Sequence, residues 1–214
     1  MNKVSKNNSL LAAFSIISIT IILLCPSIII SADLAPEIEL RNGVNAIVDT
    51  LNDPAFAGVE QKEAKKEALF SKAESIFDFN EFSKGALGSN WQRFSKSQQS
   101  EFSKYFARLI ANTYLEKIDD ENFQDLKITY LKTEMLDSTK SGIERADIQS
   151  EVFHDKITTP VHYRMMKKKG GRWKIYDVKI EGVSLVGNYR EQYRTRFNDS
   201  PDKIINEIKE KIEK

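Results

Sequence analysis

The spacing of apolar side chains divides the chain into a helical stretch, an alternating stretch and a second helical stretch. Before residue 120 the apolar positions recur at the period of amphipathic helices. They predict a helix that ends at Asp53-Pro54, a second from about Lys62 and a third over Asn80–Leu87. A fourth begins at Ser95-Lys96-Ser97-Gln98, which matches a capping box, and continues to Tyr114.

Between residues 125 and 182 the period becomes that of β-strands. Apolar and polar residues alternate in Leu126–Tyr130 and Ala146–Val152, and strand-forming residues dominate Val161–Met166 and Arg172–Ile180. Gly170-Gly171 separates the last two segments, because glycine accepts the positive φ of a tight hairpin turn. The segments predict an antiparallel meander. The last one is apolar on both of its sides, so we expect both faces of the sheet to be covered.

After residue 184 the helical period returns. Ser184 is a candidate N-cap for one helix, and Ser200-Pro201 opens a last one. The apolar positions are Val186, Tyr189, Tyr193 and Phe197 in the first, and Ile204, Ile205, Ile208 and Ile212 in the second. The sequence thus predicts an α+β domain: helices over 33–120, a curved antiparallel sheet of about four strands over 125–182, and C-terminal helices over 184–214.

The first 32 residues have the pattern of an export signal. Lys3 and Lys6 precede an uncharged run of 21 residues, Leu10–Ile30, and small residues follow at Ser31-Ala32. A positive start, an apolar stretch and a small residue at the break are the parts of a secretory signal. We therefore expect export, cleavage after Ala32 and a mature domain over residues 33–214.

Two other interpretations of this leader stay open. An apolar run of about 20 residues is long enough to span a bilayer, so an uncleaved anchor is the second interpretation. Pro26 favours cleavage, because proline ends a helix close to the processing site. Lipidation at Cys25 is the third, although Leu24 stands where a small residue normally precedes a lipidated cysteine.

Charge and cysteine content exclude several classes of protein. The chain has 32 basic and 31 acidic side chains, so it lacks the positive excess of most nucleic-acid-binding proteins. Cys25 is the single cysteine, and without the leader none remains for a disulfide, thiol chemistry or a cysteine zinc site. His154 and His162 fall on different predicted strands, where structural or surface roles are commoner than a ligand pair.

No motif of a known catalytic class stands out. The sequence has no dinucleotide-binding glycine motif or P-loop, and Gly182-Val183-Ser184 lacks the second glycine of a nucleophile elbow. Asp177 and Glu181 would lie roughly 13 Å apart on one strand face, too far to share a proton. The lysines over 167–169 fit a solvated turn, and an anionic partner is the minority interpretation.

Three stretches resemble the MlaC family, the periplasmic phospholipid-binding proteins also called toluene-tolerance auxiliary proteins. Phe77-Asp78-Phe79 through Ala86-Leu87-Gly88, followed by Trp91, is similar to the first helical signature of the family, and Ser95–Tyr114 resembles its long helix. The most specific block runs from Trp173-Lys174-Ile175-Tyr176-Asp177 through Glu181-Gly182-Val183-Ser184-Leu185 to Tyr189-Arg190. The resemblance covers nearly all of residues 33–214.

The resemblance implies a soluble periplasmic shuttle that carries phospholipid in a deep apolar pocket between a sheet and its helices. It implies two partners, an outer-membrane lipoprotein complex and an inner-membrane ABC lipid-transport complex, and a role in outer-membrane lipid asymmetry. We expect a monomer without catalytic residues, metal or cofactor, with the lipid as cargo.

The predicted faces of helices and strands, rather than the resemblance, indicate which residues line this pocket. From the helices we expect Phe79, Phe82, Leu87, Phe106, Ile110 and Tyr114, and from the strands Val161, Tyr163, Tyr176, Val178 and Ile180. Plain core packing is an equally good interpretation of each. For Gly182 we expect a turn that requires positive φ, and for Asp177 or Glu181 a hydrogen bond to backbone or to Arg190.

Two further classes of function stay open. An enzyme on a cone-shaped α+β scaffold would need an acid–base pair in the cavity, for which Asp177 with Tyr163 or His162 are the candidates. A ligand-free adaptor, held to the membrane by residues 10–30, would have a filled core and no extractable lipid.

Overall fold

The computed structural model describes residues 35–115, 123–138 and 142–213. Contacts divide the chain into two units, Met1–Ala32 and Asp33–Lys214, and every element described below belongs to the second. The predicted leader lies outside the described residues. Among the residues that are described, no helix has the length and apolar character to cross a membrane.

The described residues form α-helices and one β-sheet. The helices are α1 (Ala35–Leu51), α2 (Lys62–Ile76), α3 (Phe79–Leu87), α4 (Lys96–Leu115), α5 (Leu185–Arg194) and α6 (Pro201–Ile212). The strands are β1 (Lys127–Leu136), β2 (Glu144–His154), β3 (Ile157–Lys167), β4 (Trp173–Ile180) and β5 (Val183–Ser184). Short 3₁₀ turns lie at Pro54–Phe56, Val59–Gln61 and Gly88–Arg93. The order of elements is therefore the predicted one: helices, strands, helices.

Side-chain caps begin the helices where the sequence predicts them. The Gln98 amide donates to Ser95 Oγ over 3.2 Å, and Gln98 Oε1 accepts from the Ser95 amide over 3.0 Å, which confirms the capping box. Ser184 Oγ accepts from the Gly187 amide over 2.8 Å at the start of α5. Ser200 caps α6 in the same way. These bonds satisfy amides that have no partner within their own helix.

The sheet is the predicted antiparallel meander with one short strand added. Its order is β1-β2-β3-β4-β5, so each strand pairs with its neighbour in sequence. The two-residue β5 exceeds the predicted four strands, and β1 continues to Leu136, past its predicted end at Tyr130. Gly170 takes the predicted positive φ, 74°, in the β3–β4 turn. At the β2–β3 turn, Asp155 and Lys156 take positive φ of 46° and 64° although neither is glycine.

A β-bulge in β4 corrects the prediction that this strand is apolar on both sides. Arg164 pairs with Asp177, but the next residue of β3, Met165, pairs with Ile175, so Tyr176 has no partner on β3. The extra residue reverses the alternation of side chains between the two halves of the strand. The apolar residues of β4 therefore share one face: Trp173, Ile175, Val178 and Ile180. We call this the inner face and the opposite side, with Tyr176 and Asp177, the outer face.

Two hydrophobic clusters form the core. The sheet cluster packs the inner face against Leu40 and Val44 of α1 and Ile76 of α2. The helical cluster joins α3, α4, α5, α6 and the turn Gly88–Arg93. Phe77 and Leu185 pack against both clusters. They therefore lie at the seam between the helical layer and the sheet.

The predicted helical stripe after Ser184 is wrong at its last position. The helix α5 ends at Arg194, three residues before Phe197. Phe197 is 58% exposed and lies under the guanidinium of Arg93, 4.6 Å from the ring centroid. Its apolar character therefore serves a surface cation–π contact rather than the helical cluster.

Candidate functional site

The inner face of the sheet has an apolar surface that is only partly covered. The buried members of the sheet cluster come from three strands and two helices: Leu40, Val44, Ile76, Ala146, Ile148, Val161, Met165, Trp173, Ile175 and Val178. Nine apolar side chains packed against them stay half-buried: Ile47, Val48, Phe77, Ile128, Tyr130, Val152, Tyr163, Ile180 and Leu185. Protein cores normally pack without such open surface. The set forms a partly covered apolar surface, which we call the inner hollow and take as the candidate binding surface.

Tyr163 is the central tyrosine of the inner hollow. It lies on β3, the middle strand of the sheet. Burial raises the pKa of the Tyr163 hydroxyl above its ordinary value. Even so, the side chain keeps accessible surface and is only half-buried. Tyr163 is therefore a central side chain of this partly covered surface.

Polar atoms on this surface are few and mostly satisfied. Ser150 Oγ donates to the carbonyl oxygen of Val161 over 2.8 Å. The Tyr130 hydroxyl is buried without a hydrogen-bond partner among the described residues. The ring of Tyr130 lies 3.9 Å from the guanidinium of Arg41, which is itself paired with Glu37 at 2.6 Å. Such walls suit an aliphatic chain better than a polar substrate.

Most of the predicted helix residues pack in the helical layer, although Phe79 and Phe82 contact Phe77, which borders the inner hollow. Four belong to the helical cluster or pack against it: Phe82, Leu87, Phe106 and Ile110. Phe79 stacks on Phe77, with ring centroids 5.2 Å apart, and Tyr114 is 37% exposed. The structure thus separates the helix residues from the strand residues, because α3 and α4 pack mainly on other helices.

Four of the five predicted strand residues reach the inner face: Val161, Tyr163, Val178 and Ile180. Tyr176 does not, because the bulge turns it to the outer face, where it borders a polar cleft. Simple alternation along β4 groups Tyr176 with Val178 and Ile180. The sequence pattern therefore could not reveal the change of face.

Several residues of the inner hollow were not predicted as site residues. They lie on α1, β1 and β2: Ile47, Val48, Ile128, Tyr130 and Val152. Helical spacing on α1 and alternation on the strands identify them as facing a core. Local spacing does not show that α1 packs on the face of the sheet to which these residues of β1 and β2 belong.

Asp177 is buried on the outer face and holds the start of α5. Its Oδ1 accepts from the Val186 amide over 3.1 Å, and its Oδ2 accepts from the Ser184 hydroxyl over 2.7 Å. The guanidinium of Arg164 lies 3.5 Å from Oδ2. A carboxylate near a helix N-terminus is favourable because it compensates the orphan amides there. Asp177 therefore has the structural role that the sequence predicted.

The turn after β4 differs in part from the prediction. Gly182 takes a positive φ of 83°, which confirms its predicted role. Glu181 lies beyond the last residue of β4 and takes a φ of 51°, so it does not share a strand face with Asp177. Arg190 donates to the carbonyl oxygen of Gly85 over 2.8 Å rather than to either acid.

The candidate acid–base and ligand pairs are not brought together. Tyr163 is on the inner face and Asp177 on the outer face, with the sheet between them. His162 Nδ1 lies 3.5 Å from Asp147, and among the described residues it has no ion pair or hydrogen bond with Asp177. His154 lies at the end of the β2–β3 ladder, opposite Ile157, whereas His162 pairs with Gln149 in the middle of it. Within residues 35–115, 123–138 and 142–213, no three His, Cys, Asp or Glu side chains are grouped to hold a metal ion.

Comparison with known proteins identifies the family. The family model described as MlaC protein matches residues 41–210. Among solved structures, the fold is similar to that of a phospholipid-binding protein from Ralstonia solanacearum, determined in complex with a phospholipid. The TM-score is 0.67 at 19% identity, over 83% of this chain and 96% of that one. No curated protein matches this chain.

The family match spans most of the sequence, so the chain belongs to the MlaC family. The likeness to the Ralstonia protein, at this level of identity, is a likeness of fold. Together these findings confirm the resemblance read from the motifs and the predicted α+β class.

Proposed function

We propose that this chain is a periplasmic phospholipid carrier. It would move diacyl lipids between the outer- and inner-membrane complexes of an ABC lipid-transport system, and so maintain lipid asymmetry in the outer membrane. Membership of the MlaC family supports lipid binding or transport rather than catalysis. The Ralstonia protein of similar fold was determined with a phospholipid, which supports the same class of cargo. The inner hollow around Tyr163 is the observation that carries the proposal.

The energetics of acyl-chain burial are compatible with this role. Two acyl chains of about 16 carbons hide roughly 30 CH₂ groups, each worth about 0.8 kcal/mol when removed from water. The bilayer already hides the same groups, so transfer from bilayer to hollow is close to balanced. Reversible loading and release require that balance. The headgroup can stay in water at the rim and needs few specific contacts.

Native mass spectrometry tests the cargo directly. The full-length chain is expressed and the protein is purified from the cell envelope. We expect an adduct of phospholipid mass that organic solvent releases as a diacyl lipid. A protein that is lipid-free as purified, and stays lipid-free after incubation with liposomes, would contradict the carrier and favour the ligand-free adaptor.

A matched pair of tyrosines tests where the lipid lies. Tyr163 on β3 and Tyr176 on β4 are both half-buried, but they are on opposite faces of the sheet. Each is replaced in turn by the photoreactive residue p-benzoylphenylalanine, and crosslinked lipid is measured by mass. We expect crosslinks to the acyl chains of the lipid from position 163 and not from position 176, and fragmentation of the adduct assigns each crosslink to acyl chain or headgroup.

Val152 provides a second inner position in case the larger side chain at 163 disturbs folding. It is half-buried and packs against the sheet cluster. Circular dichroism and thermal unfolding identify any variant that fails to fold. Equal crosslinking to acyl chains from inner and outer positions would refute the inner hollow as the site of the lipid tails.

A further inference from the structure

A polar cleft lies on the outer face of the sheet, between the strands and helices α3 and α5. Its volume is ≈ 360 Å³. Small-molecule sites span about 300–1,000 Å³, so the outer cleft is large enough for a small ligand. The sheet separates it from the inner hollow, because Tyr176 borders the cleft while its neighbour Ile175 packs on the inner face.

Basic side chains from four elements line the outer cleft. They are Lys84 of α3, Arg145 of β2, Arg164 of β3 and Arg190 of α5. The two acids of the lining already have partners. Glu81 pairs with Lys168 at 3.2 Å, and Asp177 holds the start of α5. Asp147 also lies near, 3.6 Å from Arg164, and even with it the cations are in excess.

Two of these arginines lack good partners. Arg145 is half-buried and has neither an ion pair nor a hydrogen bond within the part of the chain that the structure describes. The Nε atom of Arg164 is buried and has no hydrogen-bond partner among those residues. The contacts of Arg164 with Asp147 and Asp177 are long, at 3.6 and 3.5 Å. A buried N–H group of a charged side chain destabilises the fold when it has no acceptor. A bound anion would supply that acceptor.

On the helical side of the outer cleft, a backbone carbonyl holds the Arg190 side chain in place. Arg190 Nε donates to the carbonyl oxygen of Gly85 over 2.8 Å. The Arg190 side chain also runs past Gly88 at the end of α3, at ordinary van der Waals distance from where a Cβ atom would stand. A cation fixed in this way loses little conformational entropy when it binds a ligand.

We propose that the outer cleft binds a phosphate group, supplied either by a free phosphate or small phosphate ester or by a phospholipid headgroup. The planar guanidinium of arginine matches the oxygens of phosphate in a bidentate manner. Arg145 and Arg164 lie on neighbouring strands, since Arg164 pairs with Asp147 two positions after Arg145. Tyr176 adds a hydroxyl donor at the border of the cleft, and Lys84, whose Nζ lies 3.5 Å from Glu81, adds a cation there.

Titration of the full-length protein with inorganic phosphate and with glycerol 3-phosphate, at constant ionic strength, tests the soluble source. Flotation with phosphatidylglycerol vesicles tests the headgroup source. We expect saturable binding in at least one arm, about 10-fold weaker in Arg145→Gln because a charge-assisted hydrogen bond is lost. Arg145→Lys keeps the charge but lacks the planar guanidinium, so its affinity should lie between those of wild type and Arg145→Gln.

Arg194→Gln is the matched control. Arg194 also lies on α5 but is exposed and pairs with Glu191 at 2.9 Å, outside the cleft lining. Binding should be unchanged in this variant. Absence of saturable binding in both arms, or an equal loss in Arg145→Gln and Arg194→Gln, would overturn the proposal. Lipid content measured in the same preparations reports on the carrier function separately.

Discussion

Replacement of Asp177 by alanine removes the buried carboxylate that holds the start of α5. Two hydrogen bonds are lost, one from the Val186 amide and one from the Ser184 hydroxyl. Hydrogen bonds to charged groups contribute about 1.5–3 kcal/mol each. Arg164 also loses its contact at 3.5 Å. We therefore expect the free energy of unfolding to fall by about 3 kcal/mol, and Tm by roughly 6–12 °C for a domain of this size.

A double-mutant cycle with Ser184→Ala measures whether the two groups act as one network. Ser184→Ala alone removes the cap on the Gly187 amide and should cost about 1 kcal/mol. Because Ser184 also donates to Asp177, the double variant should deviate from additivity by at least about 0.5 kcal/mol. Glu191→Ala, exposed on the same helix, is the control and should change stability by less than about 0.5 kcal/mol. Additive effects, or a loss below about 1 kcal/mol in Asp177→Ala, would refute this account of the α5 start.

Two further predictions concern α1 and the β4–β5 turn. The Thr133 hydroxyl and the Arg41 guanidinium lower the pKa of Glu37 below its ordinary 4.5. The unfolded state therefore binds more protons than the folded state. The stabilisation is present when the pH is above the ordinary pKa of glutamate, and it is lost as the pH falls through the lowered pKa of Glu37 in the folded protein. In urea unfolding, the free energies of unfolding of wild type and Glu37→Gln should converge in acid. A difference between the two free energies that does not change with pH would contradict this. Gly182→Ala should cost about 1 kcal/mol through its positive φ alone, because none of the described residues beyond its chain neighbours has a heavy atom within 4 Å of the added Cβ. Gly182→Asn should recover part of this in thermal unfolding, since asparagine tolerates that conformation, and an equal loss in both would point to another cause.

The fold could be predicted from the sequence wherever neighbouring residues decide the structure. The capping box at Ser95, the alternation of Ala146–Val152 and the proline after Ser200 are local signals, and each matches an observed element. The turn at Asp155 and Lys156 was not predictable, because its residues are not the usual ones for positive φ. The β4 bulge depends on pairing with β3, which local spacing does not contain.

The candidate site was predicted only in part for the same reason. An apolar stripe indicates that one side of an element is covered, but not by which layer. Phe82 and Phe106 are covered by helices, whereas Val161 and Val178 are covered across the sheet face by α1 and α2. The partners of Arg145, Arg164 and Arg190 depend on how α3 and α5 pack on the outer face, which no sequence spacing reveals.

The bulge at Tyr176 divides β4 into two halves, and the alternation of side chains between the two faces is offset by one residue from one half to the other. Substitution of Tyr176 does not change which face the side chains of either half occupy. Deletion of one residue between Ile175 and Val178 would turn one half of the apolar face toward the polar cleft, with Trp173 and Ile175 or with Val178 and Ile180 exposed there. A change of length is therefore more damaging in this segment than most changes of residue. In the course of evolution, insertions and deletions should be excluded here and tolerated at the tip of the neighbouring hairpin, around Gly170.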